Sequence, residues 1–94
     1  IGFCGRGEGS EYLLSTDISP TGKLPMNTGG GQISAGQPGL AGGQLNIIEA
    51  LRQLFGEATG RQVPNPSTAM CTGIGVIPYV RNWGTSAVLI LERG

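Results

Sequence analysis

From Asn27 to Gly43 the chain is dominated by glycine, with Gly29-Gly30-Gly31, Gly36, Gly39 and Gly42-Gly43 in close succession. Such a stretch makes a poor helix interior, because each glycine costs a helix about 1 kcal/mol against alanine. What it offers is freedom: with no Cβ, the backbone turns sharply and lets another group come close. Pro38 then fits the first turn of a helix, where its missing N–H is not needed. From about Gly39 to Phe55, Leu40, Leu45, Ile47, Ile48, Leu51, Leu54 and Phe55 recur, with helical spacing dominant from Ile47 onward. Gln44, Asn46, Glu49, Arg52 and Gln53 hold the other side, and Gly56 is placed to end the helix. Ala41, Gly42 and Gly43 keep the first turns slim, which suits close packing on another backbone or on a ligand. The stretch is therefore a loop-to-helix joint.

The segments on either side are read from turn residues and apolar runs. Leu24-Pro25-Met26-Asn27 is a short extended piece, since Pro25 biases Leu24 away from helix. Cys4-Gly5-Arg6-Gly7-Glu8-Gly9 reads as a structural turn; it matches neither the dinucleotide-binding fingerprint nor a Walker sequence. Glu11–Leu14 is expected to extend briefly and Pro20-Thr21-Gly22 to turn. Residues 57–67 form a polar connection with Pro64 and Pro66. Thr68–Thr72 reads as a short buried strand, Gly73-Ile74-Gly75 as its interruption, and Val76–Thr85 as a loop or lid carrying Pro78, Tyr79, Arg81 and Trp83. Ser86–Glu92 fits a strand covered on both faces. The order strand, helix, strand, strand gives an α/β class: a sheet with at least one covering helix.

Composition narrows the function. Six basic and six acidic residues are scattered singly, for a net charge of zero. No cluster of Lys and Arg neutralises a row of phosphates, which argues against nucleic acid as a partner. The longest apolar run, Ala87–Leu91, is far short of the roughly 20 residues that cross a bilayer, and no signal-peptide pattern stands at the start. The cytoplasm is the expected compartment, with no membrane partner. The chain has no histidine and two distant cysteines, Cys4 and Cys71, so neither a zinc site, a disulfide framework nor a His-based triad is expected from it. Apolar residues make up 38% of 94, so a partner surface or further chain is expected to complete the core.

Two places can carry chemistry. At the Asn27–Gly43 joint, glycines let a ligand reach the backbone and a helix N-terminus offers unpaired N–H groups; the alternative is a tight structural turn. At Cys71-Thr72-Gly73-Ile74-Gly75, a thiol followed by glycines can face a cleft while nearby N–H groups meet a developing oxyanion. The alternative there is a cysteine serving as a small buried hydrophobe.

Taken together, the two places resemble the thiolase family. The run Asn27-Thr28-Gly29-Gly30-Gly31, followed by Gly36-Gln37-Pro38 and a Gly/Ala-rich helix start, is similar to the thiolase C-terminal signature of Asn-x-x-Gly-Gly and Gly-His-Pro. Cys71-Thr72-Gly73 resembles the family's Cys-x-Gly element, in the same order and at the same remove. Arg52-Gln53-Leu54, Gly56-Glu57-Ala58, Arg61-Gln62-Val63 and the early Gly7-Glu8-Gly9 resemble the lipid-transfer branch of thiolases. The resemblance spans nearly the whole chain.

It implies that residues 1–94 are the C-terminal part of a thiolase-like α/β domain, with a mixed sheet and covering helix and the N-terminal half absent. The implied substrates are acyl-CoA thioesters, with a carbon–carbon bond cleaved or formed, coenzyme A arriving as substrate and no cofactor held permanently. By position, Cys71 is the implied acid/base at the α-carbon, and Gly73 supplies an oxyanion N–H. Asn27, Gly30, Gly31 and Gly36 line the implied CoA-ester site. A nucleophilic cysteine is expected upstream, so the 94 residues alone are expected to be inactive. A homodimer or larger assembly is implied, and relatives of the lipid-transfer branch often work with a small partner carrying an OB-like fold.

One departure stands out: Gln37 occupies the histidine position. Glutamine donates a hydrogen bond to an oxygen but is no general base near neutral pH. Oxyanion binding is therefore compatible with Gln37, while activation of a thiol by it is not. This leaves a thiolase variant or retro-aldolase as the first reading and a non-catalytic binding or assembly subunit of the same fold as the second. A stand-alone nucleotide-binding module lacks any complete phosphate motif.

Overall fold

The computed structural model describes residues 2–33, 35–37, 41–79 and 82–94, the side chains of 76–79 and 82–85 excepted. Four elements follow one another: α1 (Gly9–Ser15), α2 (Gln44–Phe55), β1 (Thr68–Tyr79) and β2 (Asn82–Glu92). β1 and β2 pair antiparallel, with Thr68 opposite Glu92, Cys71 opposite Leu89 and Gly73 opposite Ala87. α2 packs on this ladder, which gives the α/β class expected of a partial thiolase-like C-terminal domain.

Several expectations need correction. Glu11–Leu14 lies inside α1 and is not extended. The Glu8 carboxylate accepts the Gly5 N–H at 2.9 Å and so steadies the turn leading into that helix. Leu24–Asn27 is no strand. It is an irregular segment tied back through Leu24 N–H to the Asp17 carbonyl (3.1 Å) and Met26 N–H to the Ile18 carbonyl (3.2 Å). The order among the described residues is thus helix, helix, strand, strand.

The largest difference is in the last third. Gly73-Ile74-Gly75 does not interrupt the strand, and the described part of Val76–Thr85 is no loop or lid; Arg81 lies outside the described residues. β1 and β2 continue as one long ladder because each satisfies the other's N–H and C=O groups, which outweighs the weak strand preference of glycine. The register slips between Gly75 and Pro78, and such an irregularity is where a proline without an N–H is accommodated. Neither strand is buried on both faces. Val88 and Ile90 are 55% and 67% exposed, and Met70 and Ile74 share that open face. Among the described residues α2 covers the opposite face, on which Ala69, Cys71 and Leu91 are half-buried.

α2 starts at Gln44, later than the expected Gly39, of which Gly39 and Leu40 lie outside the described residues, as does Pro38. The preceding Gly42 and Gly43 disfavour helix. Gly56 ends the helix as expected, in the left-handed conformation at φ 76°. Its N–H bonds the Gln53 carbonyl at 3.2 Å and the Glu57 N–H bonds the Arg52 carbonyl at 2.8 Å, the paired bonds of a Schellman cap.

The helix also faces differently from the apolar pattern. Gln53, assigned to the outer side, is buried beside Ala50 and Leu54, while Ile48, Leu51 and Phe55 are more exposed. Burial of an amide is tolerated because its polar atoms are satisfied. Gln53 Nε2 donates to Glu49 Oε1 and to the Arg61 carbonyl, both at 2.8 Å, and its Oε1 accepts the Val63 N–H at 2.8 Å. Gln62 Nε2 donates in turn to the Gln53 carbonyl at 2.8 Å. The polar connection 57–67 is thereby pinned along α2. No helix among the described residues is long and apolar enough to cross a membrane.

Candidate functional site

The glycine loop is set by its backbone angles. Asn27 holds φ 51°, in the left-handed region that asparagine tolerates, and its carbonyl accepts the Gly30 N–H at 2.9 Å. Gly30 and Gly31 follow at φ 76° and 81°, which a side chain would strain. Gly36, with φ 94°, donates its N–H to the Gln32 carbonyl at 2.8 Å. The loop is anchored to α2 by Thr28, whose hydroxyl donates to Glu49 Oε1 at 2.8 Å. Where Gly29 would carry a Cβ, the Glu49 Cγ lies 3.2 Å away, so the backbone rests directly on this side chain.

Gln37 comes close to the front of α2. A Cβ on the buried Gly42 would stand 3.0 Å from Gln37 Cγ, so the absent side chain at 42 makes room for the Gln37 stem. Gln32 reaches the same point and donates its Nε2 to the Gly42 carbonyl. The slim entry to the helix is thus packed against two glutamine side chains. Gly43 precedes the first residue of α2 with no side-chain cap.

Cys71 approaches the first turn of the same helix from the sheet. Its thiol donates to the Asn46 carbonyl at 3.4 Å. Both Gln37 and Cys71 therefore meet the chain between Gly42 and Asn46. Cys71 lies within β1 and not at a strand end, and Gly73, on the same face two residues on, pairs opposite Ala87. Among the described residues nothing stands within 4 Å of where a Gly73 Cβ would be.

Partial burial pushes the Cys71 thiol above its ordinary range, because the interior disfavours the thiolate. The S–H bond to Asn46 also requires the protonated form. Since the folded value is raised, the stability linked to the neutral thiol is complete below the ordinary thiol range and is lost as pH rises through the raised value. Alkylation should show this. At pH 8 iodoacetamide should modify the exposed Cys4 well before Cys71, and the Cys71 rate should climb only at more alkaline pH. Peptide-resolved mass spectrometry showing Cys71 labelled as fast as Cys4 would contradict a shielded thiol.

Of the expected site residues, the structure sets Gln37 beside Gly42 and Cys71 against Asn46, while Asn27, Gly30, Gly31 and Gly36 shape a loop that touches α2 through Thr28 and Gly29. Three contributors were not singled out by the sequence pattern: Gln32, Glu49 and the Asn46 carbonyl. A backbone carbonyl has no sequence signal. Glu49 and Gln53, four residues apart, carried a faint one as a helix-stabilising pair.

The family model described as Thiolase C-terminal domain-like matches residues 1–93. Non-specific lipid-transfer protein-like 2 of Caenorhabditis elegans is 40% identical over 76 residues, covering 81% of this chain and 18% of that protein. Acetyl-CoA acetyltransferase of Methanothermobacter thermautotrophicus is 34% identical over 93 residues, covering 99% of this chain and 23% of that protein. The 17-hydroxy-3-oxo-4-pregnene-20-carboxyl-CoA lyase of Mycobacterium tuberculosis is 33% identical over 76 residues, covering 81% of this chain and 19% of that protein. The chain spans about one-fifth of the length of these relatives. No solved structure matches it. With nearly every residue inside the family match, the chain belongs to the thiolase C-terminal domain family.

Proposed function

We propose that these residues form one wall of an acyl-CoA site in a thiolase-like enzyme, and that the reaction is cleavage or formation of a carbon–carbon bond next to the thioester. The observation that carries this reading is that Gln37 packs against Gly42 while the Cys71 thiol reaches the Asn46 carbonyl, two points about one turn apart at the front of α2. Cys71, held as a thiol, is set to give its proton to the α-carbon as the bond breaks. The resulting thiolate takes a proton back before the next cycle, and in the forming direction the same steps run in reverse. Gln37 donates a hydrogen bond to the thioester oxygen as it gains charge. The Gly73 N–H, expected from the family signature as a second donor, faces Ala87 across the ladder in a hydrogen-bonded pair and is not assigned that role. Asn27, Gly30, Gly31 and Gly36 form the loop against which the CoA ester lies.

Gln37 favours a retro-aldol cleavage over thiolysis. In a retro-aldol step a base from the remaining chain takes the β-hydroxyl proton as that oxygen becomes a carbonyl, the bond breaks to an enolate held by an oxyanion donor, and Cys71 gives the α-carbon its proton. Thiolysis further needs a thiol made nucleophilic by a base, which an amide cannot supply. One relative named as a CoA lyase and another named as an acetyltransferase span the two chemistries. The remaining chain is proposed to bring the rest of the site, including any nucleophilic cysteine, together with the dimer contacts. A small OB-like partner is compatible with the lyase reading. Gln37 also gives the one argument for a non-catalytic subunit, since it removes a base.

Gln37→His in the full-length protein tests the assignment. Thiolysis of a 3-ketoacyl-CoA, followed by loss of the Mg²⁺-enolate absorbance, should rise by at least about 10²-fold if the missing base is what limits it. No rise, with the protein folded and still binding acyl-CoA, would count against Gln37 as the limiting residue.

A further inference from the structure

We infer that Glu49 is a positioning residue for the CoA-ester loop, acting through Thr28 on Asn27. This rests on the acyl-CoA reading given above. Glu49 lies on the half-buried side of α2 and reaches no described part of Cys71 or Gln37 by hydrogen bond. One carboxylate oxygen instead accepts from two directions, the Thr28 hydroxyl and Gln53 Nε2, each at 2.8 Å.

Each partner belongs to a different segment of the chain. Thr28 follows Asn27, whose left-handed backbone starts the turn closed by the Gly30 N–H. Gly29 sits on the Glu49 stem itself. Gln53 is the buried amide that holds Arg61 and Val63. Asn46, Glu49 and Gln53 thus form a line along α2, at spacings of three and four, that fixes β1, the glycine loop and the 57–67 connection to one helix.

The chemistry explains why an acid stands here. The glycine loop has three consecutive residues without side chains, and its described residues are tied to α2 by Thr28 and by the seat of Gly29 on Glu49. A charge-assisted hydrogen bond to the one hydroxyl in the turn supplies a fixed point. Without it, the Asn27 and Gly30 backbone groups sample other conformations, and a ligand has to select the competent one. Such selection weakens apparent binding by the fraction lost and leaves the chemical step alone.

The test uses the full-length protein with an acyl-CoA substrate. Glu49→Ala is expected to raise KM by about tenfold while kcat stays within about twofold, the scale of a lost hydrogen bond to a charged group. Glu49→Gln keeps an oxygen able to accept from both Thr28 and Gln53 but lacks the charge, and should bring KM back to within about threefold of the original value. Thr28→Val removes only the donor, should reproduce the rise in KM, and remains available if Glu49→Ala does not fold. Hydrogen exchange at the Gly30 amide should speed up in Thr28→Val and Glu49→Ala and by less in Glu49→Gln. An unchanged KM in Thr28→Val, or a Glu49→Ala effect that falls on kcat alone, would overturn the inference. Cys71→Ala measured alongside separates the two ideas. Lost turnover there with an unchanged KM in Thr28→Val refutes only the role of Glu49, whereas full turnover in Cys71→Ala refutes the site itself.

Discussion

Replacing Cys71 by alanine in the full-length protein should lower turnover of an acyl-CoA substrate by about 10²–10⁴-fold, the usual contribution of a positioned acid or base. The stability cost should stay under about 1 kcal/mol, because the thiol makes one long hydrogen bond to a carbonyl already inside a helix. The combination is diagnostic. A buried structural cysteine gives the opposite pattern, with a loss of stability and little direct loss of rate. Cys71 is half-buried, and among the described residues nothing stands within 4 Å of where a Cβ on the nearby Gly73 would be, so alanine leaves no sealed cavity. Serine at the same position should also be inactive, since its hydroxyl is a far weaker acid than a thiol. A Cys71→Ala protein with normal turnover would remove the residue from the chemistry.

Gln53→Ala should have the largest effect on folding, about 2–4 kcal/mol of destabilisation, read as a shift of the denaturant midpoint at unchanged slope. Truncation strips partners from several groups at once: the Val63 N–H, the Arg61 carbonyl and one acceptor site on Glu49. It also opens a hole next to Leu54 and Ala50, the apolar side chains buried among the described residues. Gln53→Glu is informative as a comparison. It keeps the acceptor for Val63 but removes both donors and sets a second carboxylate against Glu49, so it should be no better than alanine. A midpoint shift worth less than about 0.5 kcal/mol in Gln53→Ala would mean that the network is not needed.

What the sequence made legible follows from the range of the physics involved. The glycine joint was readable because positive φ at Gly30, Gly31 and Gly36 is a local property of those residues. The same holds for Gly56, whose left-handed cap depends on its own backbone. The length of the hairpin was not readable, because Gly73, Gly75 and Pro78 each argue locally against a strand. Only the partner strand, whose paired residues Ala87, Thr85 and Trp83 lie opposite them, supplies the hydrogen bonds that override them. Burial of Gln53 has a related cause. An amphipathic pattern assigns glutamine to solvent, and nothing near it in sequence announces that the Arg61 carbonyl and the Val63 N–H will meet it. The candidate site was half legible: Gln37 and Cys71 stand out through motif spacing, whereas Glu49 and the Asn46 carbonyl emerge only when loop, helix and strand are assembled.

The function proposed above turns on Cys71 moving a proton at the α-carbon of an acyl-CoA held by the glycine loop. Deuterium uptake into the α-position of an acyl-CoA, incubated in D2O with the full-length protein and followed by mass spectrometry, reports that step without requiring the direction or the second product of the reaction. The expected result is uptake by the unaltered protein, uptake preserved in Gln37→His, and uptake abolished in Cys71→Ala. Equal uptake with and without Cys71 would contradict the claim.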